Sequence, residues 1–289
     1  MKKDIKYRLM LIASMAVFGT IGLFVRRIGV SSGELALYRA VLAALLLGGV
    51  LLVGRQRIPF ADLKKELILL FASGAAMGIN WILLFEAYKY TTVSMATLSY
   101  YFAPVIVTAV SPILFRERLT GKQILCFVMS TFGLVLIIGA NGGGGSDLVG
   151  ILFGLAAAVF YATVVLFNKF IKNVTGLQRT FLQFLSAIVV LLPYVLLTGG
   201  VTLGALDGIG WVNLLIVGLL HTGVTYCLYF SSLGELPGQS AAILSYIDPL
   251  VAVLVSVTLL GEPMTLLQIV GGILILGFTL WNEIPTKKK

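Results

Sequence analysis

Two stretches decide the fold: Pro104 to Ile124, PVIVTAVSPILFRERLTGKQI, and Pro249 to Ile269, PLVAVLVSVTLLGEPMTLLQI. Aligned at an offset of 145, they share Pro104/Pro249, Val110/Val255, Ser111/Ser256, Leu114/Leu259, Glu117/Glu262, Thr120/Thr265, Gln123/Gln268 and Ile124/Ile269. Shared apolar residues carry little weight in an apolar chain, but Pro, Glu, Thr and Gln kept at one register mark an internal repeat. Both Thr-x-x-Gln pairs have capping-box spacing, which starts a helix at each. Two shorter fragments agree at nearby offsets: Ala16-Val17-Phe18 with Ala158-Val159-Phe160, and Leu98-Ser99-Tyr100 with Leu244-Ser245-Tyr246.

Around these stretches lie apolar blocks of the length a helix needs to cross a bilayer, about twenty residues for about 30 Å. Of 289 residues, 59% are hydrophobic and only 11% charged, which excludes a soluble globular domain. The mean hydropathy is +1.03. The blocks lack the period-two alternation of a membrane barrel, so the expected class is an all-α integral membrane protein. Ten spans are expected: Arg8–Ile28, Gly33–Gly54, Glu66–Tyr88, Thr92–Phe115, Gly121–Ala140, Asp147–Lys169, Leu177–Thr198, Gly210–Ser231, Pro237–Leu260 and Met264–Asn282. The stretch Asn141 to Ser146, NGGGGS, reads as a flexible linker between a first unit, 1–140, and a second, 147–289. Five helices per half is an odd number, so the second half enters from the opposite side, an inverted-topology repeat.

The net charge of +9 reflects orientation rather than nucleic-acid binding. Seventeen of the twenty-one Lys and Arg residues fall in segments that share one side if the N-terminus is inside. The positive-inside rule then puts both termini in the cytoplasm. Lys2, Lys3 and Lys6 precede a long apolar run without an A-x-A-like site, read as an uncleaved first helix. Cys126 and Cys227 show neither disulfide nor metal spacing. No Walker-type GxxxxGK[ST] loop is present, and no cofactor or metal is expected.

The segments Ala96 to Thr120 and Ala241 to Thr265 resemble the half-signature of EamA-type members of the drug/metabolite transporter superfamily. There, a small-residue helix with a central Pro ends in a Glu before the last helix of the repeat. The resemblance spans the chain, including the 5+5 layout. It implies a secondary transporter in the cytoplasmic membrane whose cavity is formed mainly by the first four helices of each repeat. It also implies a small-molecule substrate, with amino-acid or metabolite export as one common activity. Proton-coupled uptake of a small metabolite is the alternative, and a non-transporting membrane partner or lipid-handling subunit is the alternative of another class. An intramembrane protease reading fails for want of a GxSG context or a second mid-membrane Asp. The oligomeric state is left open.

Ionisable groups inside a span cost about 2.5–3.5 kcal/mol each on insertion scales, so each needs a reason. Asp248 falls mid-span directly before Pro249, and His221, the single histidine, is expected at the same depth on the neighbouring helix. They are expected as a proton-sensitive or cation-attracting pair; the structural alternative is an interhelical hydrogen bond. His221, Thr225, Tyr229 and Ser232 form one helical stripe, with Thr222 at its edge, and Ser94, Thr97, Tyr101, Pro104, Thr108 and Ser111 another. Either could line a wet cavity or merely allow close packing, with Tyr101 and Tyr229 favoured as cavity residues. Glu86 and Arg39 are expected to pair near the outer ends of their helices, with a cation-attracting Glu86 as the alternative. Asn80 and Trp81 lie deeper, where an amide and an aromatic face suit a polar or cationic solute. Glu117 and Glu262, at the turn before each half's last helix, read as helix-end architecture.

Overall fold

The computed structural model describes residues 2–56, 58–59, 63, 66–115, 119–139, 145–233, 235–236 and 238–284. Glu117, residues 141–144 of the linker, Arg57, Lys64, Lys65, Arg116, Arg118, Pro237 and Lys287 to Lys289 lie outside them. The described residues are helical, without strands. In order they form α1 (Lys2–Gly19), α2 (Ile21–Val25), α3 (Ser32–Val53), α4 (Leu67–Tyr90), α5 (Val93–Tyr100), α6 (Ala103–Phe115) and α7 (Gly121–Gly139). Then follow α8 (Gly145–Asn168), α9 (Gly176–Thr198), α10 (Gly208–Leu215), a π-helical stretch (Ile216–Val224) and α11 (Thr225–Leu233). The chain ends with α12 (Gly238–Ser245), α13 (Ile247–Thr258) and α14 (Leu266–Glu283). Among the described residues, nine helices are long and apolar enough to cross a membrane, and Ile243–Thr258 is a shorter apolar helix. Large apolar side chains such as Val53, Ile113 and Leu197 stand exposed, as lipid, itself apolar, permits.

Helix starts follow the capping chemistry. Thr265 and Gln268 form a reciprocal capping box, and Thr120 and Gln123 exchange the same two bonds. Further boxes start α3 at Ser31/Glu34 and α9 at Thr175/Gln178. Each satisfies amide donors that the first turn leaves bare.

The spans expected at Thr92–Phe115 and Pro237–Leu260 are each broken near the middle. Proline is the cause: Pro104 has no N–H for the Tyr100 carbonyl, nor Pro249 for that of Ser245. Tighter bonds take over, Phe102 N–H to Ser99 O (3.2 Å) and Val105 N–H to Phe102 O (3.0 Å) in one, Tyr246 N–H to Ile243 O (3.2 Å) in the other. The breaks obey the 145-residue offset, α5 ending at Tyr100 and α12 at Ser245.

Helix packing respects the same exchange of halves. α4 packs on α8 as α1 does on α11; α4 on α9 as α3 does on the π-helical stretch; α5 on α8 as α1 does on α12; α6 on α8 as α1 does on α13. The pairs α3 with α9 and α7 with α14 map onto themselves, whereas α5 with α13 maps onto α12 with α6, which do not pack together in the same way. In the last pair a Cβ on Gly271 would lie 2.5 Å from the Gly133 carbonyl, so glycine there sets how closely the two helices approach.

The bundle has two distinct ends. At one, Glu262 accepts from the Val93 N–H (2.8 Å), binds Ser256 Oγ and pairs with Arg26, whose Nη2 also donates to Thr91 O (2.6 Å). Glu34 there accepts from the Thr202 hydroxyl (2.9 Å). At the other, Glu66 accepts from the Lys172 N–H (3.2 Å) and Asn173 Nδ2 (3.1 Å), and Lys122 donates to Ile284 O.

Candidate functional site

The two helix breaks meet. Tyr101, in the turn between α5 and α6, donates its hydroxyl hydrogen to Asp248 Oδ2 at 2.5 Å, in the first turn of α13. Neither side chain is fully buried. On the side of the Glu262 end the helices pack closely at this meeting point. A Cβ at Gly19 would lie 2.5 Å from the Asp248 carbonyl, and one at Gly22 would lie 2.6 Å from Val93 Cγ1. Toward the other end the broken helices part. α5 packs on α13, whereas α6 packs on α7 and α8, and α12 on α1 and α14.

Tyrosines surround the divergence. The Tyr100 ring lies 5.9 Å from Tyr101 and 5.2 Å from Tyr161 on α8. Tyr226 and Tyr229 of α11 lie 6.5 Å apart, and Phe18 of α1 is 5.1 Å from Tyr226. Tyr161 keeps 40% of its surface open. Its open face is not the lipid stripe of Leu152 and Val159, because two residues turn a helix by about 200°. Tyr161 also stands within electrostatic reach of Tyr229, Tyr226 and Asp248. The result is a cluster of tyrosines beside the Tyr101–Asp248 bond, suited to holding a polar solute through hydrogen bonds and a cationic group through Asp248 and the aromatic faces.

His221 does not join Asp248. Its Nε2 lies 2.9 Å from Thr20 Oγ1, at the break between α1 and α2, and its ring packs 5.0 Å from Phe24. It sits in the π-helical stretch, which shifts the register that placed it beside Asp248. Thr222 Oγ1 donates to Val217 O (2.8 Å) and Thr225 Oγ1 to Leu220 O (2.7 Å), both five residues back. The expected stripes accordingly split. Thr222, Thr225, Ser232, Ser94 and Thr97 are buried in packing, while Tyr101 and Tyr229 remain part-open.

The Arg39–Glu86 pair does not form. Glu86 Oε2 accepts from Ser32 Oγ (2.6 Å) and Lys89 Nζ (3.0 Å), beside a cavity of about 380 Å³ lined in part by Arg26, Ser32, Tyr88 and Lys89. Arg39 points inward instead. Its Nε donates to Thr222 Oγ1 at 2.6 Å, and its guanidinium lies 4.3 Å over the Trp81 ring and 5.5 Å from that of Phe85. Trp81 is thereby occupied by the protein's own cation. Asn80 Nδ2 donates to Ala157 O (2.6 Å), a tie between α4 and α8. Glu262 is the helix-end residue that its place in the repeat implied. Among the described residues no cluster of His, Cys, Asp or Glu fits a metal.

The sequence pattern of EamA-like transporters matches residues 5–139 and again 148–282. The chain belongs to the EamA-like transporter family. Relatives of this EamA-like transporter agree. It is 30% identical over 271 residues to the uncharacterized transporter YxxF of Bacillus subtilis (strain 168), covering 92% of this chain and 85% of that one. It is 29% identical over 247 residues to a probable amino-acid metabolite efflux pump of Salmonella typhimurium, covering 80% and 83%. A similar pump of Escherichia coli (strain K12) is 31% identical over 172 residues, covering 56% and 58%. A solved structure described only as a protein crystal structure superposes with a TM-score of 0.65 at 17% identity over 95% of this chain and 96% of that one, a likeness of fold. The EamA-like chain is thus a multi-pass membrane transporter, not an enzyme.

Sequence reasoning missed Tyr161, Tyr226 and Phe18. Tyr226 and Tyr229 three apart on one helix were the available signal; nothing in the sequence tied α8 to Asp248.

Proposed function

We propose that this transporter carries a small polar metabolite, an amino acid or related amine, outward across the cytoplasmic membrane by alternating access. The observation that carries the reading is the Tyr101–Asp248 hydrogen bond. It joins two proline-broken helices from opposite halves, where apolar surroundings make a carboxyl group costly to keep. Ten crossing helices form two inverted units, 1–140 and 147–289, and the exchange-symmetric packing supports this. Lys6, Arg8, Arg55, Lys122, Lys169, Lys172 and Arg179 gather toward the Glu66 end, which we take as cytoplasmic together with both termini. The structure is then open toward the cytoplasm and sealed outside by Arg26 and Glu262. Substrate loads against Asp248, Tyr101 and Tyr229 while the tyrosine cluster faces inward. Parting the outer seal as α6 and α12 come together releases it.

Asp248 doubles as the proton-coupling group, exchanging a proton for substrate. His221, Asn80 and Trp81 line or support the site from behind, and Glu86 attracts cations at the outer mouth. The relatives named as amino-acid metabolite efflux pumps support the substrate class and direction.

The test is counterflow in proteoliposomes of the purified protein, loaded in turn with amino acids, amines and other polar metabolites. Saturable exchange of an amino acid or amine, lost in Asp248→Asn, is the expected result. Exchange of one of these solutes that Asp248→Asn leaves unchanged, with the same pH dependence, removes Asp248 from the mechanism. Absence of any exchange by the purified chain overturns the transport reading in favour of a partner-dependent role.

A further inference from the structure

The cost of Arg39 is not met by the protein. It is 4% exposed, about two helical turns inside α3. Arginine carries five N–H donors and stays charged, yet Nε to Thr222 is the one hydrogen bond the structure gives Arg39 among the described residues. Among the described residues no carboxylate pairs with it; Glu86, the candidate that depth suggested, is engaged with Ser32 and Lys89. The rings of Trp81 and Phe85 stabilise the cation on its faces but accept nothing from its edge. Ionisable residues inside membrane proteins nearly always have a charged or carbonyl partner. Among the described residues Arg39 has neither.

Packed rings connect Arg39 to the proposed substrate site. Trp81, under the guanidinium, lies 5.4 Å from Phe184, and Phe184 lies 5.5 Å from Tyr226. Asp248 itself bonds to Tyr101 rather than to Arg39. A cationic group and an anionic group therefore adjoin the tyrosine cluster without pairing with each other, as a site for a zwitterion requires.

We infer that Arg39 binds the carboxylate of the transported solute, with Thr222 as the positioning residue that aims its guanidinium. This rests on the proposed transport reading and narrows it: the solute carries a carboxylate, and amines without one are poor substrates. A planar guanidinium fork matches a carboxylate bidentately, which lysine cannot reproduce.

The test pairs a change in the protein with a change in the ligand. Binding to purified protein in mild detergent is measured for the proteinogenic amino acids, their carboxamides, their decarboxylated amines, and amine-free 2-oxo acids. Wild type is expected to bind an amino acid on the order of tenfold to a hundredfold more tightly than its carboxamide. In Arg39→Met and Arg39→Lys that preference collapses, because affinity for the amino acid falls while affinity for the carboxamide does not. Thr222→Val, which leaves the charge in place, loses a smaller part of the same preference. A role in packing alone predicts equal loss for both ligands, or none, and overturns the assignment. Should Arg39→Met not fold, Thr222→Val and Arg39→Lys carry the same comparison. Hits confined to amines, or a panel without any carboxylate-bearing hit, overturn the assignment while leaving transport of other solutes standing. A hit among 2-oxo acids alone supports Arg39 and instead removes the amino-acid reading.

Discussion

Glu262 is the residue whose removal should open the sealed end. Its carboxylate holds three groups at once: the Val93 N–H at the start of α5, the Ser256 hydroxyl and Arg26. Its replacement by alanine strips a capping acceptor, worth about 1 kcal/mol. The ion pair, with side chains 31% and 10% exposed, adds up to about 1 kcal/mol after allowance for solvent screening. These contacts bridge α2, α5 and the α13–α14 turn, so they break when that end parts. A loss of about 2 kcal/mol confined to the closed state raises the open population roughly thirtyfold. Glu262→Gln keeps an acceptor for Val93 and loses only the ion pair, so about 1 kcal/mol and a roughly fivefold rise are expected. Ser94, wholly buried behind the seal, is the reporter. In a background with Cys126 and Cys227 changed to Ser, Ser94→Cys is labelled with a membrane-impermeant maleimide from the Glu262 side. Labelling should accelerate in the order parent, Glu262→Gln, Glu262→Ala. Unchanged labelling beside a lowered melting temperature would show that Glu262 merely caps a helix.

Three further outcomes are expected. Tyr101→Phe and Asp248→Asn should be non-additive in thermal stability by about 0.5–3 kcal/mol, since they delete the same bond; additivity would mean that the contact carries no energy. Transport that varies with pH in wild type should flatten in Asp248→Asn, as measured by counterflow at stepped pH; a retained profile moves proton coupling elsewhere. Gly271→Val, which drives a side chain into the Gly133 backbone, should cost about 1–3 kcal/mol, read as a lower melting temperature, while leaving binding affinity of the folded fraction intact.

The repeat, the helical class and the proline positions were legible because each rests on local chemistry: apolar length, a missing amide, a capping pair. Asp248 stood out as an acid placed where charge is costly and Tyr101 as part of a polar stripe, but no spacing joined them, and it is the fold that brings the two side chains together. What could not be read was orientation. A π-helical stretch spanning Ile216–Val224 turned His221 toward Thr20, and no spacing rule for an α-helix anticipates it.

Arg39 shows the same limit in a more telling form. Similar depth on adjacent helices suggested Glu86 as its partner, but depth fixes only one coordinate, and rotation about the helix axis fixes which neighbour is met. Ser32 and Lys89 satisfied Glu86 from the outer end, while Trp81 and Phe85 drew the guanidinium inward. An ion pair between the two would have neutralised both and left Asp248 as the one charged residue facing the tyrosine cluster. Without a carboxylate partner among the described residues, Arg39 supplies the second pole of the proposed zwitterion site, and selectivity between a zwitterion and an amine follows from that one rotation.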